Sequence, residues 1–269
     1  ELETVWNPAS TLVLNANLGL LDAQIVDTYG VDVLNRTNSR SDMVVLKDFP
    51  GAANCTVSAQ GYATLLGAIA GGGIDPGATL GLCSGAFATG LYDSLNGTTG
   101  GSGDAATDRA FAEAALGLTG VTVSYTDNTG TMRTASALEA FEGDAVNLDG
   151  NKLPGTPDTT FNFGVEYTWE GLFGGDWDFR LRGDYYYQAS SYSRVWNTGR
   201  DGLDSWDNVN LTAGLTNMES NWTIEAFAKN LMDEEVITGA YLTDDSSGLF
   251  TNVFLNEPAL YGVRVKKSW

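Results

Sequence analysis

Along much of this chain apolar and polar residues alternate with a period of two, the pattern of a strand with one apolar face and one polar face. The stretch from Ala259 to Trp269 is the clearest case: Tyr261, Val263 and Val265 alternate with Gly262, Arg264 and Lys266, and an aromatic closes it. Trp222, Ile224, Ala226 and Ala228 alternate with Thr223, Glu225, Phe227 and Lys229, and Val209, Leu211, Ala213 and Leu215 with Asn208, Asn210, Thr212 and Gly214. Trp177, Phe179, Leu181, Gly183, Tyr185 and Tyr187 oppose Asp178, Arg180, Arg182, Asp184 and Tyr186. Phe161, Phe163, Val165, Tyr167 and Trp169 oppose Asn162, Gly164, Glu166 and Thr168, and Leu12, Leu14, Ala16, Leu18 and Leu20 oppose Asn15, Asn17 and Gly19. A slip of one residue would put charges on the apolar face, so each register is specified. With Glu1–Trp6 the count is about seven strands.

An antiparallel sandwich or a soluble barrel also alternates in this way. Two features favour a membrane. Aromatics gather near strand ends (Trp169, Trp177, Tyr185, Tyr187, Trp222, Tyr261, Trp269), as in the girdles of membrane barrels. Short turns at Asn7–Ser10, Glu170–Asp176 and Asn217–Asn221 alternate with long loops at Thr28–Pro157, Gln188–Asp207 and Asp233–Pro258, the asymmetry of a transmembrane barrel. The expected fold is therefore all-β: an antiparallel transmembrane β-barrel segment with a long, partly helical extracellular insertion. Residues 1–27 would be a barrel strand pair, 28–157 the large extracellular loop insertion and 158–269 the C-terminal barrel strands. Single-chain barrels have even strand counts from about 8 upward, and open edges cannot be satisfied in lipid. About seven strands thus predict part of a larger barrel.

The insertion is too long to lack structure of its own. Gly61–Leu95 is poor in charge and rich in Ala, Gly and Leu, while Asp108–Leu118 and Ala135–Glu142 read as short helices. Cys55 and Cys83 are the only cysteines. An isolated pair outside the inner membrane is expected to form a disulfide rather than a metal site. It would close a loop of about 28 residues and stabilise it by about 3 kcal/mol in the chain-entropy model.

The formal net charge is -20, from 34 acidic and 14 basic residues, which argues against a nucleic-acid partner. The chain has no histidine, which removes Ser-His-Asp and Cys-His nucleophiles and His-ligated zinc. The glycine-rich Gly71–Gly73 and Gly97–Gly103 lack the lysine and the strand-to-helix setting of a phosphate loop. An enzyme is not expected, nor a cofactor. The most apolar run, Tyr62 to Ile74, is too short for a spanning helix, which needs about 18 residues. The chain opens at Glu1 with no signal peptide, as expected of a mature start or of a longer protein cut here.

Four segments together resemble the C-terminal part of the barrel of a TonB-dependent outer-membrane receptor. They are ELETVWNPASTLVLNANLGLLDAQIVD (Glu1–Asp27), LPGTPDTTFNFGVEYTW (Leu153–Trp169), FAKNLMDEEV (Phe227–Val236) and PALYGVRVKKSW (Pro258–Trp269). Before the last strand the family's usual proline-arginine is replaced by Pro258, Ala259 and Leu260. The resemblance implies a barrel of roughly 22 strands with a plugged lumen, in the outer membrane of a Gram-negative bacterium. The implied partners are outer-membrane lipid, an N-terminal plug and further barrel strands outside these residues, the TonB system acting through the plug, and a small-molecule nutrient. The barrel assembly machinery is a further implied partner, with Trp269 as its recognition residue or as an interfacial anchor.

On this reading the apolar faces meet lipid. Glu166, Arg180, Arg182, Asp184, Glu225, Lys229, Arg264 and Lys266 face the lumen, there to pair with one another, to meet the plug or simply to line a wet wall. Loops on a rigid scaffold usually carry specificity, so the ligand-binding candidates are Tyr192, Arg194, Trp196, Arg200, Trp206, Tyr241, Asp244 and Asp245. Their aromatics suit sugars, although loop packing explains them too. The spacing of Asp244–Asp245 is not that of a calcium loop. The leading expectation is uptake of a scarce nutrient, a sugar or oligosaccharide ahead of a ferric siderophore. The alternatives are a passive porin-like or structural barrel and, further off, a secreted carbohydrate-binding β-protein.

Overall fold

The computed structural model describes residues 1–47, 54–75 and 81–268. The chain forms two compact units. The first takes Glu1–Gln24, Asn151–Tyr241 and Thr251–Trp269, and the second takes Ile25–Gly150 and Leu242–Phe250.

The first unit is built on a seven-stranded antiparallel sheet: β1 (Leu2–Ala9), β2 (Leu12–Leu20), β3 (Thr159–Leu172), β4 (Trp177–Gln188), β5 (Trp206–Asn217), β6 (Trp222–Lys229) and β7 (Leu260–Lys267). Each strand pairs with the next along the chain, so β1 and β7 are the edges and run in the same direction. Pro8 lies in the edge strand β1, where the β1–β2 register shifts between Trp6 and Ala9; an edge is where a residue without an N–H is tolerated.

The register collects the apolar residues on one face across the whole sheet. Leu14, Val165, Gly183, Leu211, Ala228 and Tyr261 form one cross-strand row. A second row runs Leu12, Tyr167, Leu181, Ala213, Ala226, Val263. Val263 is 71% exposed and Leu181 41%, so this apolar face stands open among the described residues. Aromatics mark both ends of it. Trp169 lies 4.5 Å from Tyr167 and 5.4 Å from Phe179 near the short turns, while Phe161 and Tyr185 pair at 6.3 Å near the long loops. From Phe161 to Trp169 the strand rises about 27 Å, or about 20 Å in height at a tilt of about 40°, comparable with the roughly 25 Å apolar band of a membrane barrel.

The second unit has its own core. Helices α1 (Ala59–Ala70), α2 (Ala86–Asn96) and α3 (Ala105–Ala115) bury Leu65, Phe87, Leu91 and Ala112 with Val57, Leu118 and Leu138. Asp104 caps α3 by accepting the Thr107 N–H at 2.9 Å, the usual device for an orphan donor at a helix start. Antiparallel pairs of Met43–Lys47 with Asn54–Ser58, Thr122–Thr126 with Met132–Ser136 and Tyr29–Gly30 with Val146–Asn147 accompany the helices, and a disulfide joins Cys55 to Cys83 with Cα atoms 5.5 Å apart.

One sequence expectation changes here. Ala135–Glu142 is not a helix: its start ends a strand, and Phe141 then bridges Thr56 through two backbone hydrogen bonds of 2.8 and 3.0 Å. The helices α1 and α2 lie largely within the Ala/Gly-rich segment Gly61–Leu95. The first stretch of the second unit begins at Ile25 and ends at Gly150. Residues 151–155 instead hydrogen-bond into the loop after β4: Asn151 Nδ2 donates to Val195 O, Lys152 N to Asn197 Oδ1 and Gly155 N to Tyr192 O.

Candidate functional site

The polar face of the sheet carries two charge clusters. Arg182 donates through Nε and Nη2 to Asp184 at 2.9 and 2.5 Å and through Nη2 to Asn15 Oδ1 at 3.3 Å, and its Nη1 lies 3.6 Å from Glu166. Gly164 lies beneath this cluster, and a Cβ there would overlap the Asn15 and Asp184 side chains. Nearer the short turns, Glu225 is flanked by Arg180 at 3.8 Å and Arg264 at 3.3 Å. Towards the long loops the row becomes uncharged: Asn17, Asn162, Tyr186 and Asn208 are cross-strand neighbours. One face thus suits lipid, and the other is a hydrogen-bonding wall.

Beyond the end of this wall lies a cavity of about 510 Å³ lined by Gly202–Trp206 and Glu234–Ile237. Trp206 enters it from the polar face, as the register partner of Gln188, and its ring lies 5.0 Å from Tyr186. Both walls are held through their backbones. Gly202 and Leu203 pair with Ser191 and Tyr192 in a short hairpin. The buried carboxylate of Asp201 closes that loop, accepting from Arg194 Nε at 2.6 Å and from Thr198 N and Oγ1 at 3.0 and 2.7 Å. Across the cavity, Asn230 is 2% exposed. Its Nδ2 donates to Glu234 O and to Glu257 O, both at 3.0 Å, and its Oδ1 accepts the Glu234 N–H at 3.1 Å. No hydrogen bond or ion pair engages the carboxylates of Asp204, Glu234 or Glu235 among the described residues, so these side chains are open to solvent.

The ligand candidates fall in different settings. Trp206 lines the cavity, and Tyr192 supports its wall. Trp196 lies under the Arg194 guanidinium at 5.1 Å, while Arg194 itself is engaged by Asp201. Arg200 is exposed. Tyr241, 51% exposed, stacks with Phe254 at 5.8 Å across the hairpin of Ile237–Leu242 and Thr251–Leu255. Asp244 and Asp245 belong to the second unit. There Asp245 accepts from Arg36 Nη2 at 2.5 Å and from Asn54 N and Nδ2, both at 3.1 Å, so its carboxylate ties together segments of that unit. The Ser246 hydroxyl, aided by the Ser247 N–H, keeps the Asp244 carboxyl below the usual carboxylate range. Trp269 lies outside the described residues. Asp204, Glu234 and Glu235 were not candidates in the sequence: the two glutamates read there only as part of the FAKNLMDEEV segment.

A family model for the β-barrel of TonB-dependent receptor-like proteins matches residues 79–231, more than half of the chain. No curated protein matches it. The matched stretch includes β3, β4, β5 with Trp206, β6 and the loop that carries Tyr192. Barrels of this family sit in the outer membrane of Gram-negative bacteria and serve nutrient uptake rather than enzymatic chemistry. The seven-stranded antiparallel meander with one continuous apolar face is the architecture that such a barrel wall requires. This chain belongs to the TonB-dependent receptor β-barrel family.

Proposed function

We propose that the chain supplies a wall and part of the solute-capturing mouth of a TonB-coupled receptor, and that its cargo is a neutral, hydroxyl-rich solute such as an oligosaccharide. The observation that carries this reading is the cavity between Gly202–Trp206 and Glu234–Ile237. It combines an indole with three carboxylates, and among the described residues no Lys or Arg lines it. An aromatic face with hydrogen-bond acceptors around it suits a sugar ring, whereas an anionic chelate wants Arg or Lys. Trp206 would stack on the solute, with Tyr192, Trp196, Arg200 and Tyr241 as further loop contacts. Below the mouth, the asparagine and tyrosine row would offer neutral donors and acceptors. A ferric siderophore is the less favoured cargo, since Arg194 is already occupied by Asp201.

Uptake of a panel of labelled oligosaccharides and ferric siderophores by cells with and without this protein tests the reading. We expect energy-dependent uptake of an oligosaccharide that is lost when TonB is deleted. Uptake that persists without TonB would overturn it in favour of a passive pore.

A further inference from the structure

Asn230 and Asn256 converge on one short stretch of backbone. Glu234 O accepts from both side-chain amides, from Asn230 Nδ2 at 3.0 Å and from Asn256 Nδ2 at 2.8 Å. The Glu234 N–H donates to Asn230 Oδ1 at 3.1 Å and the Val236 N–H to Asn256 Oδ1 at 3.0 Å, while Asn256 N donates to Val236 O at 3.0 Å. Every backbone polar group of Glu234 and Val236 is thereby bound by one of two asparagines, and these are the residues that form one side of the cavity. The bracing extends inward: Asn230 N donates to Asn210 Oδ1 on β5 at 3.0 Å, and Leu231 N donates to Val209 O at 2.9 Å. It also reaches the residue that leads into the last strand, since Asp233 Oδ1 accepts the Ala259 N–H at 2.9 Å. Asn230 holds a left-handed backbone, φ 46°, which asparagine tolerates better than most residues.

We infer that Asn230 and Asn256 are positioning residues for this cavity: they lock the Glu234–Val236 backbone so that its side chains face the solute in one arrangement. The inference rests on the reading of the cavity as the capture site. A loop wall of this kind would otherwise sample many conformations, and a solute would have to order it on binding. Here the ordering is already in place, because a donor and an acceptor on each amide act as a fork against the backbone. The lining carboxylates take no part in the bracing, so the wall is fixed without using the groups that would meet a ligand.

The test is a distance measured across the cavity in the protein extracted from outer membranes. Cysteines replacing Asp204 and Glu235 carry spin labels, and the native cysteines are already joined to each other. We expect one narrow distance distribution in the parent, broadened about twofold by Asn256→Ala. Asn256→Asp keeps the acceptor for Val236 N but loses the donor to Glu234 O, and should broaden it less. Asn230→Ala should broaden it as well, and Asn256→Ala stands alone if Asn230→Ala does not assemble. An unchanged distribution in folded Asn256→Ala would overturn the inference. The measurement needs no solute. A protein whose distances respond as expected but which takes up no nutrient therefore contradicts the uptake reading and not the bracing.

Discussion

Phe227 on β6 lies over Gly262, its register partner on β7, so closely that a Cβ at position 262 would overlap the ring. The pair sits on the polar face, where Phe227 breaks the alternation. The glycine leaves the room that the ring fills, as when an aromatic covers a cross-strand glycine. Gly262→Ala should cost about 1–3 kcal/mol through overpacking, and Gly262→Val more. Urea titration of the folded protein in detergent checks this; an unchanged midpoint would mean that the ring moves freely.

Arg36 is 5% exposed and donates to Asp245 at 2.5 Å and to Glu142 O at 2.9 Å. Removing the carboxylate would leave a buried cation without its partner, which costs about 3–5 kcal/mol. Asp245→Ala should therefore lower the melting temperature of the second unit markedly, whereas Asp244→Ala should lower it far less. Thermal unfolding followed by the helical circular dichroism signal compares them.

Reducing the Cys55–Cys83 bond, or replacing both residues by serine, should destabilise the second unit by about 3 kcal/mol, the chain-entropy value for a loop of about this length. The apolar sheet of the first unit should be unaffected. Limited proteolysis with and without reductant distinguishes the two units.

Acid should weaken the second unit through carboxylates held below their ordinary range. Asp127 is lowered by the Thr129 hydroxyl and then by Arg133, with Nε 2.7 Å away, and Asp93 by the Thr98 hydroxyl and the Gly101 and Gly100 N–H groups. A carboxyl depressed by folding stabilises the native state above its unfolded pKa of about 3.9 and loses that contribution as the pH falls towards the folded value. The melting temperature should stay level from neutral pH to about 5 and fall below about 4. Asp127→Asn should lower the neutral value and flatten the acid limb.

The sheet was legible because a period of two runs along its strands with few breaks such as Phe227: Leu181, Ala213, Ala226 and Val263 fall on one face in the register as they do in the pattern. The second unit was less so. Helix α1 has no charged residue and shows little contrast between its faces, so nothing in its composition separates it from a buried loop. Ala135–Glu142 has helical composition, but the pairing of Phe141 with Thr56, far away in sequence, decides its shape. The settings of the loop candidates were hidden for a related reason. Arg194 and Asp245 look like free charges until Asp201 and Arg36 are brought to them, and Asp245 and Arg36 lie 209 residues apart. Glu234 looked like part of a motif, and only folding places it opposite Trp206.

The face of the sheet that meets lipid is the central claim, and strand β5 tests it most directly. Single cysteines at Asn210, Leu211, Thr212, Ala213, Gly214 and Leu215 would be challenged in intact outer membranes with a water-soluble maleimide and with a lipid-soluble quencher. The account predicts strict alternation, with quenching at positions 211, 213 and 215 and aqueous labelling at 210, 212 and 214. Aqueous labelling of both sets alike would contradict a membrane-spanning wall.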